Sequence, residues 1–301
     1  MSWHRSVAVL KILALTSMAA VIVACETKSP DADAVESGRR NVDAMSHEHA
    51  DDVATPSAAA DQAPMRAVIS ETLPYAEVDD QLVRGYFVFP ADMIDPLPAV
   101  IVIHEWWGLN DGIRAMADRL AGEGYIVLAV DLYGGAVAND VGEARKQMLK
   151  VVEHPDSANE NIRQAYSWLK NTAGAPRIAS LGWCFGGAWS LNAALLFPDD
   201  LDAAVIYYGQ VTDDAAVLEP LNVPVLGLFG ANDRGITVES VNAFAETMHN
   251  LGKNYEIEIY PNAGHAFANP TGNNYDPATA EAAWQRTLNF LKFHLSIARD
   301  G

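Results

Sequence analysis

Three short stretches bring together residue types that do covalent chemistry. Cys184 stands in Gly182-Trp-Cys-Phe-Gly-Gly187, Asp233 closes Gly230-Ala-Asn-Asp233, and His265 closes Pro261-Asn-Ala-Gly-His265. Each follows a strand-like apolar run, "IASL", "VLGLF" and "YEIEIY" respectively. A thiol placed between glycines on a sharp strand-to-helix turn can attack a carbonyl, because the turn exposes the sulfur and the glycines leave room for the backbone to fold tightly. A helix starting there aims its N–H groups at the sulfur, so the thiol pKa is expected to fall. His265 can then move a proton between sulfur and leaving group, with Asp233 holding the imidazole in one tautomer. Taken singly, each residue has a bland alternative: a core cysteine beside packing glycines, an aspartate that caps a helix, a loop histidine. Nucleophile, acid and base in that order, each at a strand end, favour catalysis. A fourth group, Glu105, ends the run "AVIVIH" and could approach Cys184, since Asp111 is the better-placed cap for the helix that follows.

These residues need elements to position them. Continuous β-branched runs predict strands buried on both faces at Ala99 to His104 and Tyr125 to Val130. Further strands are expected at Gln81 to Phe89, Arg177 to Leu181, Ala203 to Tyr208, Val225 to Phe229 and Tyr255 to Tyr260. Helical spacing marks Asp111 to Glu123, Val141 to Val152, Ala158 to Asn171, Ala188 to Phe197, Val238 to Leu251 and Pro277 to Ser296. Strands alternating with helices call for an α/β fold, a mostly parallel sheet with helices on both faces. Ligands of such sheets sit at the carboxyl ends of the strands. The chain order Cys184, Asp233, His265 is that of the α/β-hydrolase fold.

The chain has 301 residues, half of them hydrophobic, and a net charge of −19. It has no basic run, which points away from nucleic acid, whose binding rests on Lys and Arg neutralising phosphates. Residues 1–25 read as a bacterial export signal: His4, Arg5 and Lys11 precede a short apolar stretch, Ile12 to Ala24. It ends Ile22-Val-Ala-Cys25, which resembles a lipobox, so Cys25 is expected to carry a lipid that anchors the protein in the cell envelope; an ordinary signal peptide and an uncleaved anchor are the alternatives. Cys184 is then the one remaining cysteine of two. Residues 26–65 are acidic, lack Phe, Tyr and Trp, and are expected to form a disordered tether. His47-Glu-His49 within it reads as solvated rather than metal-binding. The folded domain is expected over 66–301, a monomer without metal or organic cofactor.

From about Gly85 to Leu295 the motifs "VIVIHEWWGLN", "VDLYGG", "LGWCFGG", "GANDRGI" and "YPNAGHAFAN" resemble the dienelactone hydrolases (carboxymethylenebutenolidases). The resemblance implies a Cys184–His265–Asp233 triad acting on small lactones or esters, with Glu105 beside the resting thiol. It also implies an oxyanion hole from the backbone N–H groups of Trp106 and Phe185. Family members bind the substrate carboxylate with an arginine four residues after the histidine, where this chain has Asn269, a candidate to touch substrate; Arg145 is the candidate for a second arginine. Trp106, Trp107, Tyr133, Trp183 and Phe267 lie next to these motifs and could line an apolar pocket. A thioesterase or general carboxylesterase, and a binding protein with a vestigial triad, are the rival readings.

Overall fold

The structure, a computed structural model, describes residues 32–50 and 62–296. The signal segment, Cys25 and the expected lipid anchor lie outside the described residues.

Eight strands form one sheet in the order β1-β2-β4-β3-β5-β6-β7-β8. β3 (Ala99–Ile103), β4 (Ile126–Val130), β5 (Ile178–Trp183), β6 (Ala203–Tyr207) and β7 (Val225–Gly230) are buried at every residue. That is why their sequences are unbroken apolar runs rather than alternating ones. From β4 across to β8 (Tyr255–Tyr260) all neighbours are parallel. β1 (Val68–Val78) and β2 (Gln81–Pro90) add an antiparallel hairpin at one edge. β1 is absent from the sequence expectations because its middle, Ser-Glu-Thr, is exposed at an edge and polar. Asp79 and Asp80 turn the hairpin with φ of 51° and 58°, the positive pair a two-residue loop of matching twist requires.

Most of the helices sit in the connections between strands. α2 (Asp111–Gly122) is capped by Asn110, whose side chain accepts from Ile113 N, so Asn110 and not Asp111 fills the capping role. α3 (Val141–Glu153), α4 (Pro155–Asn171), α7 (Val238–Asn250) and α8 (Pro277–His294) lie close to their expected spans. α5 (Phe185–Leu196) begins three residues before its expected start, directly after Cys184, and a one-turn α6 (Ala215–Leu218) was not expected.

The largest departure lies in the expected tether. Residues 32–50 carry a helix, α1 (Ala32–Glu48), packed on α3. Gly38, Val42 and Met45 recur at helical spacing and face the domain: Val42 is fully buried, and Gly38 lies so close to Val152 that an added Cβ would stand 2.4 Å from its Cγ1. Arg39 pairs with Glu153 at 2.8 Å, and Arg145 Nε donates to Asp43 at 3.0 Å. The stripe is too narrow to signal a stable helix by itself; burial against α3 stabilises it.

Candidate active site

β5 runs straight into the turn that carries Cys184, and α5 leaves it at Phe185. Cys184 sits at φ 56°, ψ −119°, a conformation rare for any residue with a side chain and typical of functional sites. Its N–H donates to Tyr207 O at 2.9 Å, which ties the turn to β6. The flanking glycines are required by close approach: a Cβ on Gly182 would lie 2.0 Å from Gly186 O, and one on Gly186 would lie 2.2 Å from Ile103 O.

Asp233 follows β7 and His265 follows β8. Asp233 Oδ1 accepts from Gly235 N at 2.9 Å and Ile236 N at 2.8 Å. Its Oδ2 is thereby aimed at His265 Nδ1, 2.7 Å away. A carboxylate accepts, so the tautomer assigned here has the proton on Nδ1 and a bare lone pair on Nε2. Nε2 is buried and makes no hydrogen bond, and it borders the same cavity as Cys184.

The thiol does not behave as the helix end alone predicts. Burial pushes the Cys184 thiol well up, and the Glu105 carboxylate pushes in the same direction. The N–H groups of Phe185 and Trp106 reach the sulfur and favour its charged form, but less strongly. At rest the sulfur is a neutral thiol, because a charge in a dry pocket beside a carboxylate costs more than two N–H groups return.

Glu105 is 7 % exposed. Asn269 Nδ2 donates to its Oε2 at 2.7 Å, and the Tyr208 hydroxyl donates to its Oε1 at 3.4 Å. Asn269 is itself oriented: its Oδ1 accepts from Thr271 N at 2.9 Å and Thr271 Oγ1 at 2.7 Å. Asn269 therefore holds the carboxylate of Glu105. His104 Nδ1 donates to the Glu105 carbonyl at 2.6 Å, while Nε2 accepts from Leu132 N at 3.1 Å. Burial lowers the His104 pKa and keeps it neutral for both bonds. Tyr208 and His104 carry no sequence signal for this role, since each sits inside or at the end of a strand run and has the pattern of core.

The remaining aromatic candidates divide. Tyr133 is buried against His104 and Phe185, with ring centroids 4.6 and 5.7 Å apart, and its hydroxyl is buried without a hydrogen bond. Trp183 lines a small cavity together with Glu105 and Asn269. Phe267 is fully buried among Tyr207, Tyr208 and Tyr260, a core residue rather than a pocket wall. Trp107 is buried edge-on against Trp106, with ring centroids 5.1 Å apart. Arg145 is spent at the α1–α3 contact and stays away from the sulfur.

α1 ends over the site. Met45 Sδ lies 3.4 Å from Cys184 Sγ. His49, expected to be solvated, is 3 % exposed, with its ring centroid 4.9 Å from that of His265 and 5.7 Å from that of Trp106. Among the described residues no group of three His, Cys, Asp or Glu side chains could hold a metal ion.

The family model of the dienelactone hydrolase family matches residues 83–295. A protein of Escherichia coli (strain K12) that carries the name carboxymethylenebutenolidase is 34 % identical over 221 residues, spanning 69 % of this chain and 81 % of its own. "Protein usf" of Aquifex pyrophilus is 33 % identical over 223 residues, spanning 71 % and 94 %. A crystal structure from Klebsiella pneumoniae, described as a dienelactone hydrolase, superposes with a TM-score of 0.67 at 29 % identity, over 74 % of this chain and 98 % of that one. The fold is that of the α/β-hydrolases.

Proposed function

This chain belongs to the dienelactone hydrolase family and is a carboxylic ester or lactone hydrolase, and from that premise we propose that Cys184 is its nucleophile and that a thioester is its intermediate. The observation that carries this is the strained elbow. It sets a thiol beside two convergent N–H groups, in one cavity with a histidine whose other nitrogen is tied to a buried aspartate at 2.7 Å.

At rest the sulfur occupies the N–H pair of Trp106 and Phe185. A substrate carbonyl oxygen takes that pair over, because developing negative charge on oxygen is the stronger acceptor. The Sγ proton passes to His265 Nε2, and Asp233 supports the imidazolium. The thiolate attacks the carbonyl carbon. A thiolate of raised pKa is intrinsically the better nucleophile, so Glu105 lowers the resting thiolate population while strengthening the thiolate that forms. The C–O bond then breaks, and His265 returns its proton to the leaving oxygen. Water gives a proton to the same nitrogen as it attacks the thioester, and collapse frees the acid and restores the thiol.

The test is turnover of a p-nitrophenyl ester and of a small lactone by wild type and Cys184→Ala, with mass spectrometry of wild type quenched during turnover. We expect activity in wild type only, and an acyl adduct on Cys184 in the quenched wild type that is absent from Cys184→Ala. Turnover by Cys184→Ala would falsify the assignment.

We further propose that the protein is exported to the bacterial cell envelope and anchored by lipid on Cys25. The support is the apolar run ending Ile22-Val-Ala-Cys25. Cys25→Ala should then move the protein out of the membrane fraction, and an unchanged distribution would count against the anchor.

A further inference from the structure

The cavity that holds Cys184 and His265 encloses about 170 Å³, and the hydrolase sheet and its own helices supply only part of its wall. Met148 and Val152 of α3, Phe185 and Trp189 of α5, and Ile236 line one side. The other side is α1, through Gly38, Asn41, Ala44 and Met45, with His49 in the turn just after it. α1 is seated for this role. Gly38 admits the helix to contact with Val152, two ion pairs fasten it to α3, and Met45 meets the sulfur at 3.4 Å.

The charge distribution is one-sided. Among the described residues, no Lys or Arg lines this cavity. Arg234 lines an adjoining and more polar groove with His47, Asn232 and Asn274, which shares Ala44, Gly235 and His265 with the cavity. His265 borders both spaces, whereas Cys184 borders only the apolar one. Once the thioester forms, the acyl group is bonded to sulfur and must lie in the space the sulfur borders. The leaving alcohol must lie where His265 can protonate it, on the side of the polar groove.

We propose that α1 is an acyl-selecting wall: Met45 and His49 confine the acyl group to a short, neutral, apolar chain or ring, and polar substituents are accepted only on the alcohol side. The inference rests on the Cys184 reading above and adds the substrate class to it. A carboxylate on the acyl chain would be desolvated here with no Lys or Arg of the described residues to pair with, which is strongly unfavourable. Chain length is limited by Met45, whose flexible thioether fits against small groups but occupies the space a longer chain would need.

The test uses the full chain and p-nitrophenyl acetate, butanoate, octanoate and hemisuccinate. For wild type, kcat/KM should fall about 10-fold or more from butanoate to octanoate, the scale of discrimination a closed apolar pocket gives. It should fall about 100-fold or more from butanoate to hemisuccinate, an uncompensated buried charge. Met45→Ala should raise the octanoate-to-butanoate ratio about 10-fold while hemisuccinate stays poor, and Met45→Trp should move the preference the opposite way, to acetate. Ratios unchanged in both variants, or a wild type that takes hemisuccinate as readily as butanoate, would overturn the wall while leaving the nucleophile in place. Loss of all turnover in wild type, with Cys184 unreactive to iodoacetamide, would instead sink the nucleophile assignment and the wall with it.

Discussion

Glu105 and Asp233 are carboxylates buried to nearly the same depth, 7 % and 5 % exposed, one flanking Cys184 and the other flanking His265. Their surroundings make them do opposite things. Asp233 is fastened by two backbone N–H groups of its own loop and presents its second oxygen to His265. That geometry supports a positive charge on the imidazole. Glu105 is held by the Asn269 amide and the Tyr208 hydroxyl, and its charge bears on the sulfur. That geometry opposes a negative charge on Cys184. In the proposed mechanism one carboxylate prepares the proton carrier, and the other keeps the thiol protonated until a substrate arrives. What a buried acid does is set by which charge faces it, not by its burial.

The sharpest way to break this contrast is Asp233→Asn. The two loop N–H groups still find the side-chain oxygen, but an amide nitrogen then faces His265 Nδ1 and favours the wrong tautomer. We expect kcat to fall about 10⁴-fold with the fold intact. A loss below about 10-fold would show that the imidazole does not depend on this partner.

Glu105→Gln should act in the other direction on the sulfur. Burial, the larger cause of the raised thiol pKa, remains; the carboxylate, the second cause, is removed. The thiol pKa therefore falls, and alkylation by iodoacetamide at pH 7 should speed up about threefold for each pKa unit lost, the gain in thiolate being partly offset by its weaker nucleophilicity. Alkylation no faster than wild type would mean that Glu105 does not oppose the charge.

The raised thiol pKa also makes a stability prediction. A group whose folded pKa lies above its unfolded value stabilises the fold fully below the unfolded pKa, about 8.5 for cysteine, and loses that contribution as pH rises through the folded value. Wild type should thus lose thermal stability relative to Cys184→Ala between about pH 8 and pH 10. A difference in Tm that stays constant over that range would contradict the buried neutral thiol.

The same contrast explains what was legible in the sequence. The Asp233–His265 flank sits on the turns after β7 and β8, two strands with clear apolar signals, so topology alone brought the residues to the same end of the sheet. The elbow was legible because Gly182 and Gly186 are sterically required. The Glu105 flank was only half legible. Glu105 stood out at a strand end, but Asn269 was expected to touch substrate, and its hydrogen bond to Glu105 depends on a loop conformation set by Thr271 that no local pattern announces. Tyr208 and His104 read as the last residues of buried strands and gave no polar signal. α1 is not legible locally, because an acidic stretch without Phe, Tyr or Trp looks unable to fold. Its stability comes from α3, more than a hundred residues further along the chain, and a contact at that range leaves no local periodicity to read.

The smallest expected effects separate Asn269 from Tyr208 as groups that hold Glu105. Asn269 donates at 2.7 Å to a buried carboxylate, a charge-assisted bond whose removal costs about 2 kcal/mol. Tyr208 donates at 3.4 Å, near the limit of a hydrogen bond, and should contribute less than about 1 kcal/mol. Asn269→Leu should therefore free Glu105 to shift, lowering kcat by about 10-fold or more and broadening the pH profile of alkylation. Tyr208→Phe keeps the ring that packs on Phe267 and His265, with centroids 5.1 Å away in both cases, and should change kcat less than about threefold. If Tyr208→Phe were the more damaging of the two, the hydroxyl would be acting on the sulfur or on the substrate directly. Alkylation kinetics would tell these apart: an altered rate without substrate implicates the sulfur, and a change confined to kcat/KM implicates the substrate.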